Sequence, residues 1–163
     1  MTDANFDPAR MFRAMQGYGH AGLLGLTYVA HGGDWAEIAM PFNDALVGDV
    51  AASTMATGAI SGLMDMCCGL AVWTRLGHFR PQATLDLRID YLRAAHPRAD
   101  MAARVTCYRV TRDIAFVHGM AHDGDADDAV AHVAATFMFT GAPMLLDGDG
   151  RRPGFSGAKV AER

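Results

Sequence analysis

Cysteine is scarce in this chain. There are three, Cys67, Cys68 and Cys107, and two of them are adjacent. An odd count without a Cys-x-x-Cys pair argues against a disulfide framework and a thiolate metal site, and for a reducing compartment. Positive charge is sparse as well: 14 Lys and Arg stand against 18 Asp and Glu, a formal net charge of −4. With no basic block or stripe, nothing points to a nucleic-acid partner. No apolar run approaches the roughly 20 residues that cross a bilayer, so no membrane partner is expected. Residues 1–13 carry early acids and no long apolar stretch, which is not the pattern of a secretory leader. The expected location is the cytoplasm.

What is present suits one domain with one core: 163 residues, 51% of them apolar. Residues 1–21 read as a polar lead-in and a short helix. Phe6, Met11, Phe12 and Met15 recur at helical spacing, Asp7-Pro8 suits a helix start, and Gly17 and Gly19 end it. Residues 22–140 form the main domain. It begins with strands at 23–30 and 35–40, joined as a hairpin by His31-Gly32-Gly33-Asp34, and then a loop over 42–55. Residues 56–75 read as the one long helix, with Ile60, Leu63, Met64, Cys67 and Ala71 as its apolar stripe. Strands follow. Ala83, Leu85, Leu87, Ile89 and Tyr91 alternate with Thr84, Asp86, Arg88 and Asp90, and further strands are expected at 101–110, 113–122 and 129–139. Residues 141–163, rich in Gly, Asp and Arg, are expected to be a mobile tail. One apolar helix among about six antiparallel strands has one economical packing, a sheet curled around the helix. The expected fold class is therefore α+β.

Chemistry concentrates on that helix. Asp65 lies in its middle, where a carboxylate is costly unless paired, hydrated or functional. Gly58, Gly62 and Gly69 share with it a sector of about 60° on a helical wheel. Each helical glycine costs about 1 kcal/mol relative to alanine, so three beside one carboxylate suggest the close approach of a ligand or a partner helix. Such a carboxylate can act as a general base toward water or as a nucleophile toward a thioester carbonyl. Backbone N–H groups at Thr57 and Gly58, at the helix N-terminus, suit an oxyanion. They stand about 10 Å along the axis from Asp65, too far to serve one carbonyl together within one helix. Two antiparallel copies would solve this, so a homodimer with shared sites is expected.

Three stretches carry a family resemblance: Leu46-Val47-Gly48-Asp49, residues 56–71 around Asp65, and residues 83–93. Over roughly 20–140 the chain resembles the PaaI-like hotdog-fold thioesterases. The resemblance implies a hotdog fold, an acyl-CoA substrate, assembly as a homodimer or homotetramer, and no metal or cofactor beyond the coenzyme A of the substrate. It implies that Asp65 is catalytic and that Thr84 holds the attacking water. The oxyanion donor would be the N–H of Thr57 or Gly58 from the neighbouring subunit. Asp49, Ala56, Gly62, Cys68 and Gly69 become expected substrate-binding positions. The family usually has His-Gly-Gly where this chain has Ala56-Thr57-Gly58. A backbone donor survives that change; a histidine that orients the thioester does not.

Other features are weaker. Thr84 shares parity with Asp86, Arg88 and Asp90, so simple alternation points it away from the core. Cys67 and Cys68 read as buried, inert thiols, and His118 with His122 lacks a third zinc ligand. The acidic run 123–128 lacks the glycine and glutamate of a calcium loop and reads as a solvated turn. Eleven methionines suit core or tunnel filling. Arg88, Arg93, Arg109 and Arg112 are candidates for coenzyme A phosphates. A hotdog protein that binds an acyl-CoA without hydrolysing it is the main rival. A hydratase would want a histidine beside the helical acid.

Overall fold

A computed structural model describes residues 6–154 and 159–160. The start of the lead-in, residues 1–5, and tail residues 155–158 and 161–163 lie outside the described residues. Helix α1 spans Pro8–Met15. The Asp7 carboxylate caps it by accepting from the Ala9 N–H at 2.8 Å, and Pro8 fills a first-turn position that needs no donor. Pro8, Ala9, Met11 and Phe12 are buried, Met11 and Phe12 almost completely.

The segment after α1 departs from expectation. Residues 19–23 form a short helix, α2 (Gly19–Leu23), and strand β1 is confined to Thr27–His31. Glycines at 17, 19 and 25 all adopt positive φ and fold the chain tightly there. A Cβ at Gly22 would collide with the Gly17 backbone at 2.5 Å. β1 and β2 (Trp35–Met40) form the expected hairpin, closed by a bond from the Gly32 N–H to the Trp35 carbonyl. The expected loop at 42–55 instead holds a 3-10 turn (Asp44–Leu46) and a small hairpin, β3 (Val47–Asp49) with β4 (Thr54–Met55).

Helix α3 spans Thr57–Leu76 and ends at Gly77 in the left-handed conformation. Ile60, Leu63, Met64, Cys67 and Ala71, its expected stripe, are all buried. Strands β5 (Gln82–Tyr91), β6 (Met101–Val110), β7 (Ile114–His122) and β8 (Ala131–Phe139) complete an antiparallel sheet of six strands in the order β1-β2-β6-β7-β8-β5. Ala36, Ile38, Met40, Ala103, Val105 and Val117 point from the sheet toward α3 and are almost wholly buried. This is the hotdog arrangement, with β1 and β5 as its edges.

The described tail is not loose. Met144 donates its N–H to the Phe79 carbonyl, Gly150 is buried against Arg10, and Val160 donates to the Gly17 carbonyl. No helix among the described residues is long and apolar enough to cross a membrane.

The acidic run 123–128 is likewise more than a solvated turn. The Asp123 side chain is 1% exposed and receives both Arg93 amino groups, at 2.6 and 3.0 Å. It also accepts from the backbone and ring nitrogens of His96. Arg93 further pairs with Asp128 at 2.9 Å. The cluster ties the β5–β6 connection to the β7–β8 turn. The Arg93 hydrogen bonds hold the Asp123 carboxyl well below the usual carboxylate range. A depressed folded-state pKa stabilises the fold fully above the unfolded value of about 4 and loses that effect as pH falls below it. Asp123→Asn is expected to lower the thermal midpoint by several degrees at pH 7, with the gap to wild type closing below about pH 4. Thermal melts across that range check this.

Candidate active site

Strand β5 runs beside α3 in the opposite direction, and side-chain hydrogen bonds join the two at successive helical turns. Tyr91 Oη and Ser61 Oγ lie 2.9 Å apart, and both donate to the Thr57 carbonyl, at 2.8 and 2.9 Å. One turn on, Thr84 Oγ1 donates to Asp65 Oδ1 at 2.9 Å. Beyond it, Gln82 Nε2 donates to the Gly69 carbonyl at 2.9 Å, and Trp73 Nε1 donates to the Arg80 carbonyl at 2.7 Å.

Simple alternation points Thr84 outward; the structure turns it inward. The β5–β8 register pairs Thr84 with Phe137 and Asp86 with Thr136, leaving Leu85 unpaired as a bulge. An extra residue reverses the facing of everything on one side of it. Gln82 and Thr84 therefore share the helix-facing side with Leu87 and Ile89, while Asp86, Arg88 and Asp90 face outward. The bulged Leu85 is 52% exposed.

The other expected site residues are dispersed. Thr57 and Gly58 stand exposed at the start of α3, where Ala56 is an N-cap without a capping side chain and Gly58 borders open space. Gly48 packs against Ala56, which joins the β3–β4 hairpin to the helix start. The exposed Asp49 carboxylate caps its own turn by accepting from the Ala52 N–H. Gly62 does not offer an open surface: a Cβ there would meet Leu24 at 2.8 Å and the His20 ring at 3.1 Å. Its missing side chain admits the chain's own segment around α2. Gly69 is buried beneath Gln82. Cys68 is fully buried, so its side chain cannot line a surface that a substrate reaches. Tyr91, Gln82 and His20 escaped the sequence reading. Tyr91 and Gln82 mark the ends of the β5 alternation, but linear spacing says nothing of their bonds to α3.

The remaining candidates fall to structural roles. Burial raises the thiol pKa of Cys67 and of Cys68, and pushes that of Cys107 up to about 11. Cys67 donates to the Ala36 and Ala103 carbonyls. Among the described residues no group of three His, Cys, Asp or Glu side chains is placed to hold a metal ion. Arg93 is held by Asp123 and Asp128, and Arg88 pairs with Asp90. What remains is a half-buried carboxylate on an apolar helix, with Oδ1 held by a hydroxyl and Oδ2 accepting no hydrogen bond from the described residues. That arrangement suits a base or nucleophile held in a fixed direction.

A thioesterase-superfamily model matches residues 52–138, more than half of the chain. Among solved structures, a Pseudomonas aeruginosa protein is 35% identical, with a TM-score of 0.70 over 80% of this chain and 95% of its own. A thioesterase from Haemophilus influenzae is 18% identical, with a TM-score of 0.73 over 84% of this chain and 92% of its own. The E. coli PaaI protein from the phenylacetic acid degradation operon is 14% identical, with a TM-score of 0.66 over 76% and 85%. The last two are likenesses of fold. A search of curated proteins finds no match.

Because all three cysteines are buried and held protonated, a thiol-reactive chromogenic reagent is expected to leave the native protein unlabelled for many minutes. After denaturation all three thiols should titrate.

Proposed function

The chain belongs to the thioesterase superfamily, and on that premise we propose that it hydrolyses an acyl-CoA thioester at sites shared between two subunits. The observation that carries the reading is the 2.9 Å bond from Thr84 Oγ1 to Asp65 Oδ1. It fixes the carboxylate and leaves Oδ2 to receive a proton. The threonine oxygen keeps lone pairs that can accept from a water molecule beside the carboxylate.

In the proposed reaction Asp65 takes a proton from water while the water oxygen bonds to the thioester carbon. The carbonyl oxygen becomes an oxyanion held by backbone N–H groups. Collapse of the tetrahedral species breaks the carbon–sulfur bond, and the coenzyme A thiolate recovers the proton from Asp65. Direct attack by Asp65 on the same carbon, followed by hydrolysis of the anhydride, uses the same residues.

The oxyanion donors come from a second copy. Within α3 the N–H groups of Thr57 and Gly58 lie about 10 Å along the axis from Asp65. A twofold axis near Ser61 would set each Asp65 against the other chain's Gly58. The same axis would cross β5 between Leu87 and Arg88, midway between Thr84 beside Asp65 and Tyr91 beside Thr57. β5 is a sheet edge of ten residues, with Leu85 and Tyr91 at 52% and 41% exposure and Leu92 just past its end at 55%. A long edge with apolar side chains is a surface for strand pairing, so the copies would join their sheets there.

Asp65→Asn is expected to cut coenzyme A release from an acyl-CoA panel by about a thousandfold or more, and Thr84→Ala by about tenfold to a hundredfold, with Thr84→Ser recovering most of it. Gly58→Pro removes a donor at a first-turn position that tolerates proline, and should be nearly inactive. Mixing and reassociating Asp65→Asn with Gly58→Pro should then restore up to about a quarter of wild-type activity, since half the sites in each mixed dimer are intact. No restoration would refute the shared site. A wild type that releases no coenzyme A but gains thermal stability from acyl-CoA would make the protein a binding module.

A further inference from the structure

Resting on that reading, we infer that the cavity between α1, the C-terminal half of α3 and residues 140–152 is the acyl compartment, and that it selects a medium-length aliphatic chain. The cavity has a volume of about 450 Å³, within the range of small-molecule sites. Its apolar walls are Met11 and Met15 from α1, Trp73 from α3, Phe79, and Met144 and Leu146 from the returning tail. Three methionines give an adaptable lining suited to a flexible chain.

The cavity continues the seam that holds Asp65. Trp73 and Gln82, which line it, belong to the next two tiers of the α3–β5 hydrogen bonds after Asp65–Thr84. Asp65, Gly69 and Trp73 are successive fourth residues on one helix face. Gly69 and Trp73 therefore stand one and two turns from the carboxylate, Trp73 about 12 Å along the helix axis. A chain whose carbonyl sits at Asp65 is directed across Gln82 and past Trp73.

Gln82 gives a second sign. Its Nε2 is committed to the Gly69 carbonyl, which fixes the orientation of the amide. Its Oε1 is buried and has no hydrogen-bond partner. A sealed core does not tolerate such an acceptor without a cost of about 1–3 kcal/mol. On a wall shared with a cavity it marks a surface open to solvent, where an ordered water rather than the aliphatic chain supplies the donor. Gly69 makes the arrangement possible, because a Cβ there would press on Gln82 Nε2 at 3.2 Å.

Part of the wall comes from outside the stretch that the superfamily model matches: Met11, Met15, Met144 and Leu146 all lie outside residues 52–138. The tail is fastened over the cavity by the Met144 N–H to the Phe79 carbonyl, at 2.9 Å.

The test is chain-length selectivity. Wild type should hydrolyse octanoyl-CoA with a kcat/KM at least about tenfold above those for acetyl-CoA and palmitoyl-CoA. Met144→Trp, which fills the cavity from the tail side, should lower the octanoyl-to-acetyl ratio by about tenfold. Met15→Trp, filling it from α1, should do the same, so that misfolding of one variant does not decide the matter. Calorimetric binding of octanoyl-CoA and acetyl-CoA to Asp65→Asn, with and without Met144→Trp, reads the compartment independently of hydrolysis. A selectivity unmoved by both tryptophans in both assays overturns the acyl compartment and leaves the hydrolase reading standing. A wild type without hydrolysis, but with octanoyl-selective binding that Met144→Trp abolishes, overturns the hydrolase reading and keeps the compartment.

Discussion

The hydrogen-bonded seam between α3 and β5 is the constraint on which the rest of this molecule depends. A sheet can wrap a helix mainly through apolar contact, and β2, β6 and β7 do so here, with only the Cys67 thiol, among the described residues, bonding to carbonyls of β2 and β6. β5 meets the helix differently. Thr84, Gln82 and Tyr91 bond to α3 through side chains, and Trp73 returns a bond from the helix to the Arg80 carbonyl. Apolar packing tolerates small slides; directional bonds at successive turns do not. They set the helix against the edge of the sheet in one register, and Asp65 lies within that register.

One residue makes the seam possible. Without the Leu85 bulge, Thr84 would follow Asp86 outward and Asp65 would lose its hydroxyl partner. A bulge weakens the local ladder, and it is tolerated here at the edge of the sheet, where one side of β5 has no neighbouring strand within the chain. The same open edge is the surface through which the proposed mechanism borrows its oxyanion donors. Local irregularity, the proposed catalytic geometry and the proposed assembly thus meet on a single strand.

Beyond the wrapped core, the chain's ends shape the region around Asp65. His20 of α2 and Leu24 just after it cover Gly62, closing part of the glycine-lined face of α3. α1 and the returning tail flank a cavity further along the same seam, with methionine and aromatic walls and with Gln82, Arg151 and Arg152 also lining it. The Arg93–Asp123–His96 cluster performs a quieter task, bracing the loops at the far end of β5.

Much of this was legible in the sequence. The 3.6-residue recurrence of Ile60, Leu63, Met64 and Cys67 marked the buried helix, and the acid at 65 stood out because carboxylates are expensive there. The order of one long helix among antiparallel strands led to the wrapped sheet. Both are short-range patterns, dictated by which side chains leave water. The inward turn of Thr84 was not legible, because a bulge depends on how β5 pairs with β8, about fifty residues away at that point. Gly62 read as a contact for a ligand or partner, yet its role was set by a helix folded back from the N-terminus. The tail read as loose from its composition, yet Phe79 supplies an acceptor that holds Met144. Local periodicity determined the elements and the identity of the acid; the hydroxyl beside it and the walls around it were decided only when distant segments came into contact.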